Sequence, residues 1–417
     1  MCWPRRCSTD AGPRRLRPKG PAAPRPFGPA LNFLYGYNLI RAMIKLLLTL
    51  LLAPMLVYAQ AGDEKDLVFA GQSYPLTLEV KAKSDGQVTY EGRFSEMPDK
   101  DYDVILLQGL MPEPDIRLDL LGKGRSFFAA DVEYRQTGFR RFPNGRFWAR
   151  YKAPSTTRQP VKILVTDLGL KNSQRLVIYA TDLLTEGELR EREAPVEVST
   201  SAYVPEPDLF VPATAPFKLY RRADWQAQPP KEPFTRHAPY YFTLHHTQAH
   251  YPKNFDDAVV EMQFIQDFHQ NGRGWNDIAY HFLIDPAGNV FEGRPINVLG
   301  AHVKNRNTGN VGISIMGNYH APAHDKFTSL TQDSFVAVGR YVKDTYEINI
   351  SSFYAHRELG NTDCPGDDLY AKMSSLRGLV YAPQQPRPVE VPAAPVTLPA
   401  EPQAESLRQL LYYLETR

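Results

Sequence analysis

The histidines of this 417-residue chain are confined to one part of it, and this constrains its fold and chemistry more than any other feature. All ten lie within residues 218–381, whereas residues 62–205 contain none. Residues 203–217 hold four prolines, which favour an extended, semi-rigid connection. We therefore predict two structural units joined by a Pro-rich linker at 206–217, with the histidine chemistry in the second unit.

The first unit, residues 62–205 (the β unit), shows the alternation of apolar and polar residues that is typical of strands. Turn residues such as Ser84-Asp85-Gly86 separate the runs. The runs lie at 75–83, 87–94, 103–109, 126–134, 145–153, 161–168 and 175–184. Short strands at this spacing predict an all-β, sandwich-like accessory domain.

The second unit, residues 218–381 (the α/β unit), mixes both kinds of element. The predicted strands lie at 240–245, 279–285, 289–294 and 311–317. Asn254 with Asp257 predicts a capped helix over 255–270, and Ser329 with Gln332 predicts a second helix that ends near Tyr346. We expect an α/β domain with a central mixed β-sheet flanked by helices.

The two ends of the chain differ from its middle. Met43 begins a short basic segment, an apolar run over 46–56 and small residues, which is the layout of a secretory signal peptide. The run is shorter than the ~20 residues of a membrane span. We predict an upstream tail and signal peptide at 1–61, Met43 as the true start, and export to the periplasm or the outside. The alternative is a basic tail before an uncleaved anchor. Residues 382–417 predict a Pro-rich tail and a short C-terminal helix.

Removal of the signal peptide changes the charge and the cysteine content. Residues 1–59 hold nine Lys/Arg and one Asp, so their loss turns the net charge of +2 negative. A negative chain gives no footprint for nucleic acid, and we expect no stable membrane anchor. Cys2 and Cys7 are lost as well, which leaves Cys364 alone. Cys364 is then a free thiol or a metal ligand, because no second cysteine remains to pair with it.

Cys364 follows His356 by eight residues, in a stretch that reads as a loop. His245 and His246 lie in a predicted strand, where alternation puts them on opposite faces and leaves open which one meets an ion with His356 and Cys364. Two imidazoles and a thiolate suit Zn²⁺. Three protein ligands leave the fourth tetrahedral position open, as in catalytic zinc sites. This pattern predicts hydrolysis by a metal-activated water.

The α/β unit also carries a series of motifs in a fixed order. They are RRADWQA (221–227), LHHT (244–247), GWNDIAYHFLID (274–285), FEGRP (291–295), GAHVKNRN (300–307), VGISIMGNY (311–319) and AHREL with TDCPG (355–366). In these motifs the unit resembles the peptidoglycan recognition proteins and the related type 2 N-acetylmuramoyl-L-alanine amidases. With a single cysteine, and so without the disulfide of animal members, it is closer to bacterial or phage forms.

The resemblance implies one Zn²⁺ held by His245, His356 and Cys364. The implied reaction is hydrolysis of the amide between N-acetylmuramic acid and L-alanine in peptidoglycan or muropeptides. Tyr280 matches the catalytic tyrosine, whose O–H would stabilise the oxyanion, and Thr362 matches a position near the metal. The matched substrate-binding positions are His302, Asn307, Trp275 and Arg294. Packing is an equally good interpretation of Trp275, and surface charge is an equally good interpretation of Arg294.

Two other functions stay open from the sequence. One is a non-catalytic receptor that binds peptidoglycan, although family members of that kind typically lack the cysteine found at 364. The other places the main binding activity in the β unit, with cell-wall material or a partner protein as its ligand. No Asp or Glu is assigned as general base, since a zinc-bound water with a pKa near ~7 can lose its proton without one.

Overall fold

A computed structural model describes residues 66–193, apart from positions 125 and 127, and residues 211–383. The predicted signal peptide, the first part of the Pro-rich linker, most of the C-terminal tail and the whole predicted C-terminal helix lie outside these ranges. Within them, no helix combines the length and the apolar character that a membrane span requires.

Two antiparallel sheets occupy the first described range. Their strands are β1 (Leu76–Val80), β2 (Val88–Glu91), β3 (Tyr102–Leu110), β4 (Ile116–Gly122), β5 (Val132–Glu133), β6 (Arg135–Arg141), β7 (Arg146–Thr157), β8 (Val161–Asp167) and β9 (Gln174–Leu184). One sheet has the order β1-β9-β3-β7-β6 and the other β2-β8-β4-β5. Side chains of both sheets, such as Ile105 and Leu118, share one apolar core. Helix α1 (Glu186–Glu193) follows β9.

Six of the seven predicted runs coincide with strands, and the prediction for 126–134 is largely wrong. Only Val132–Glu133 forms a strand there, and Phe128, which made the segment look apolar, is 94% exposed in a turn. Two strands were missed. β4 has a regular alternation of buried residues, whereas β6 exposes most of both faces and therefore has no alternation to detect.

The second described range forms a six-stranded mixed sheet with helices on both faces, as predicted. Its strands are β10 (Leu219–Tyr220), β11 (Tyr241–His246), β12 (Phe282–Ile284), β13 (Val290–Glu292), β14 (Asn310–Ile315) and β15 (Phe353–Ala355), in the order β10-β13-β12-β14-β11-β15. Only β12 and β13, the predicted hairpin, pair antiparallel among the strand pairs described in this sheet.

The helices of this range are α2 (Phe255–Asp267), α3 (Ser329–Tyr346), α4 (Asp367–Tyr370) and α5 (Met373–Tyr381). Apolar side chains of α3 and α5 pack against Phe242 and Leu244 on one face of the sheet. Helix α2, which continues as a π-helical turn over Phe268–Gly272, packs with Leu283 and Phe291 on the other face. Since alternate residues of β11 point to opposite faces, His245 lies on the side of α2.

The helix starts agree with the predictions in part. Asn254 caps α2 as predicted, because its Oδ1 accepts the N–H of Asp257 at 2.9 Å. The carboxylate of Asp257 instead accepts the N–H of Lys253, so the reciprocal half of the predicted capping box is wrong. Helix α3 is capped by Thr328, one residue before the predicted Ser329.

Substitution at the two candidate caps of α3 will separate them. The Oγ1 of Thr328 accepts the N–H of Thr331 at 3.0 Å and donates to the carbonyl of Pro286 at 2.8 Å. We expect Thr328→Ala to lower the free energy of unfolding by about 1–2 kcal/mol. Ser329→Ala, at an exposed first-turn position, should change it by less than about 0.5 kcal/mol. Chemical denaturation measures both, and equal effects would contradict the capping assignment.

Candidate metal centre

The parallel pairing of β11 with β15 brings two histidines together. Leu244 pairs with Ala355 at the end of this register. The next residues, His245 and His356, therefore lie side by side. Their ring centroids are 4.5 Å apart, and both side chains are fully buried. His246 lies on the opposite face, where its Nδ1 accepts the N–H of Tyr319 at 3.3 Å.

Cys364 reaches the same point from the loop after β15. Its Sγ lies 3.6 Å from Nδ1 of His245 and accepts the backbone N–H of His246 at 3.4 Å. The loop is held by Arg357, whose N–H donates to the carbonyl of Cys364 at 2.9 Å. Candidate ligand atoms of His245, His356 and Cys364 all lie within 4.8 Å of one another.

This donor set fits a tetrahedral zinc ion. Zn–S bonds of about 2.3 Å and Zn–N bonds of about 2.0–2.1 Å, at a tetrahedral angle, put the sulfur and nitrogen about 3.6 Å apart. The separation between Cys364 Sγ and His245 Nδ1 is 3.6 Å. Two nitrogens and one sulfur are also the donor types that zinc prefers in proteins, and three ligands leave one position for water or substrate.

A second layer of hydrogen bonds determines which nitrogen of His245 faces the cluster. His245 Nε2 lies 2.9 Å from His302 Nδ1, and His302 Nε2 lies 3.1 Å from the carbonyl of Asn310. A carbonyl only accepts, so His302 carries its proton on Nε2 and accepts at Nδ1 the N–H of His245. His245 Nδ1 is therefore unprotonated toward Cys364, as a metal ligand must be.

Burial keeps these imidazoles neutral. It lowers the pKa of His302 to about 3 and lowers the pKa of His245 well below its usual range, and the neighbouring His356 acts in the same direction on His245. A neutral imidazole is the form that coordinates metal ions.

The two predicted catalytic side chains lie beside the cluster. Tyr280, two residues before β12, is 4% exposed, and its ring centroid lies 5.2 Å from that of His245. Thr362 is half-buried, and its Oγ1 accepts the N–H of Cys364 at 3.1 Å. This contact shows Thr362 holding the loop that presents the sulfur.

The four predicted substrate-binding residues are all buried, which the sequence indicated only for Trp275, through its packing alternative. His302 orients His245, as described above. Asn307 supports that arrangement, because its Oδ1 accepts the backbone N–H groups of His302 and Val303, both at 2.8 Å. Asn307 lies in a loop, where no alternation pattern exists that could have indicated this role. Substrate contact by His302 and Asn307 stays a prediction.

Arg294 and Trp275 also have partners inside the protein. The guanidinium of Arg294 donates to three backbone carbonyls of the surrounding loops, those of Ile278, Leu299 and Asp277. Trp275 packs on the ring of His269 with centroids 4.8 Å apart. The contact with His269 thus supports the packing alternative for Trp275. Arg294 is buried and binds backbone carbonyls, so the surface-charge alternative is wrong for it. Their substrate contact likewise stays a prediction.

Comparison with known proteins gives matches to one part of the chain. A family described as N-acetylmuramoyl-L-alanine amidase matches residues 235–367. Peptidoglycan-recognition protein SC2 of Drosophila melanogaster is 37% identical over 134 residues, 31% of this chain and 70% of that protein. Peptidoglycan-recognition protein LB of the same species is 33% identical over 192 residues, 45% of this chain and 80% of that protein.

A human N-acetylmuramoyl-L-alanine amidase is 32% identical over 160 residues, which are 36% of this chain and 27% of that protein. The solved structure of Drosophila PGRP-LB aligns with a TM-score of 0.35 and 32% identity, over 38% of this chain and 93% of that one.

The hydrogen-bonded chain behind His245 predicts a loss of zinc affinity on His302→Ala. Without its acceptor, the N–H of His245 no longer fixes the ring, and we expect the affinity to fall about 10- to 100-fold. Competition with a chromophoric chelator measures this. His324→Ala, at a histidine whose side chain is 57% exposed, serves as the control and should bind zinc like the native protein. Equal zinc affinity of the two variants would contradict the assignment.

Proposed function

The chain belongs to the family of peptidoglycan recognition proteins and N-acetylmuramoyl-L-alanine amidases, and from this premise we propose that it is a zinc-dependent amidase. Its substrate would be the amide bond between N-acetylmuramic acid and L-alanine in peptidoglycan or muropeptides. The observation that carries the proposal is the buried convergence of His245, His356 and Cys364 on one point. This set has the donors of a catalytic zinc site with one open position.

Zinc bound there would supply a water of lowered pKa and polarise the scissile carbonyl. The protein's own contribution lies in orientation. His302 holds His245 in the tautomer that points Nδ1 at the cluster, and the N–H of His246 supports a thiolate on Cys364. Tyr280, packed against His245, is the candidate O–H donor to the oxyanion that forms as the carbonyl becomes tetrahedral.

Hydrolysis adds one water across the amide, leaving a carboxylate on the lactyl group of the sugar and a free amine on L-alanine. Such a substrate lies outside the cytoplasm, which agrees with the signal peptide predicted within residues 1–61. The family also contains recognition proteins, so binding without cleavage is the competing outcome, and an assay of the native protein for binding and for release of stem peptides distinguishes the two.

Replacement of the sulfur ligand tests the metal chemistry. We expect Cys364→Ser to reduce the release of stem peptides from purified peptidoglycan by at least about 100-fold, because a neutral hydroxyl is a far weaker zinc ligand than a thiolate. Mass spectrometry of the soluble products measures the release, and sedimentation with insoluble peptidoglycan measures binding, which should be retained. A native protein that binds peptidoglycan and zinc but releases no stem peptide would establish a receptor instead.

Removal of one hydroxyl tests the role of Tyr280. We expect Tyr280→Phe to lower kcat about 10²- to 10³-fold with little change in zinc affinity, since the lost hydrogen bond forms in the transition state. Tyr241→Phe is the matched control. Tyr241 lies on the same strand face as His245, and its O–H donates to the carbonyl of Arg306. Loss of activity in the control alone, or in neither variant, would remove Tyr280 from the mechanism.

A further inference from the structure

The β unit is packed directly on the helix that flanks the candidate metal centre. All described residues belong to one compact unit of the chain. Leu106 of β3 and Trp148 of β7 point away from the core between the two antiparallel sheets. They pack instead in one apolar cluster with side chains of α2 and its π-helical turn, among them Phe264 and Phe268.

Three of the four acidic side chains of α2 are bound by the β6–β7 hairpin (residues 135–157). Three carboxylates on the helix each accept a hydrogen bond from a hairpin side chain. The pairs are Asn144 Nδ2 with Asp257 at 3.2 Å, Arg146 Nε with Glu261 at 2.9 Å, and Trp148 Nε1 with Asp267 at 2.7 Å. The hairpin therefore holds α2 at three points between Asp257 and Asp267.

Arg146 and Glu261 form the central pair, and both side chains are 0% exposed. Nη1 of Arg146 donates to the carbonyl of Gly109 and Nη2 donates to Oε1 of Gln108, both at 2.8 Å. Its guanidinium carbon lies 3.8 Å from the ring centroid of Phe264. A buried ion pair costs desolvation energy and is weak evidence for stability, but it can specify a single arrangement of the surfaces that carry it.

This pair borders a small cavity, which is also lined by Tyr280 of the candidate catalytic site. The cavity has a volume of about 30 Å³, enough for one or two water molecules. Its polar lining comes from both units: Gln108 and Arg146 from the β unit, and Thr247, Glu261, His269 and Tyr280 from the α/β unit. Tyr280 thus packs against His245 and lines the same cavity as Arg146.

We propose that Arg146 is a positioning residue for the amidase reaction, which acts by holding Glu261 and one wall of the cavity that Tyr280 also lines. This inference rests on the proposed function of Tyr280. It assigns the β unit a part in catalysis, since a strand of that unit supplies one wall of the cavity. An O–H donor to an oxyanion must be held closely, because a displacement of about 1 Å can cost on the order of 10²-fold in rate.

The test replaces both partners, because removal of Arg146 alone would leave the carboxylate of Glu261 buried without its ion-pair partner. Arg146→Met combined with Glu261→Met keeps similar volumes, and exchanges of this kind preserve folding in other buried pairs. The control is Arg140→Met. Arg140 also pairs with α2, through Asp267, but its side chain is 57% exposed and does not line the cavity.

We expect the paired replacement to lower kcat about 10-fold or more with unchanged zinc affinity, and the control to keep native kcat. In a Tyr280→Phe background the paired replacement should have little further effect, since both changes remove the same interaction. A merely structural role for Arg146 would give the same loss of kcat in both backgrounds, or none, and would overturn the proposal.

A crystal structure of the paired variant gives a second result that needs no turnover. We expect a changed separation between the rings of Tyr280 and His245, whose centroids are now 5.2 Å apart. An unchanged Tyr280 would overturn the inference. A native protein that binds peptidoglycan without cutting it would remove the proposed function, and the crystallographic result would still decide whether Arg146 positions Tyr280.

Discussion

The candidate metal centre depends on the parallel pairing of β11 with β15. Neighbouring strands lie about 4.8 Å apart, so residues in register are already at the distance of two ligands of one ion. Because Leu244 pairs with Ala355, the following histidines need no special loop to meet. Only Cys364 must be brought in by a loop, and the N–H of His246, at the end of the same strand, binds its sulfur.

A centre so deeply buried can bind a metal ion only if its side chains already have the right protonation states. Desolvation keeps His245 and His302 neutral. His245 therefore has no proton to lose before it binds a metal ion, and His302 has none to lose before it accepts the N–H of His245. The line from His245 through His302 to the carbonyl of Asn310 then leaves one tautomer for each ring. The register of β11 and β15 brings the imidazoles of His245 and His356 together. The hydrogen bonds behind His245 then determine which of its nitrogens faces the candidate metal centre.

Local patterns predicted the parts of this arrangement that depend on local physics. Alternation in β11 put His245 and His246 on opposite faces, and the cap at Asn254 and the hairpin at β12–β13 follow from turn and capping chemistry. The choice between the two histidines needed the family resemblance, because alternation is symmetric between faces. The role of Asn310 had no signal at all, since it uses a backbone carbonyl that every residue possesses.

Glu261 shows where reasoning from a single helix fails. It follows Val260 and precedes Met262, and a charged residue at such a position reads as part of a solvent-facing side. In the structure α2 is covered on two sides, by the mixed sheet and by the β6–β7 hairpin, so Met262 and Glu261 are both fully buried. The charge is tolerated because Arg146 arrives from a strand more than a hundred residues earlier. A helix buried on two sides by partners of different polarity has no single apolar stripe. The sequence of α2 therefore does not predict its contact with the β unit at Glu261.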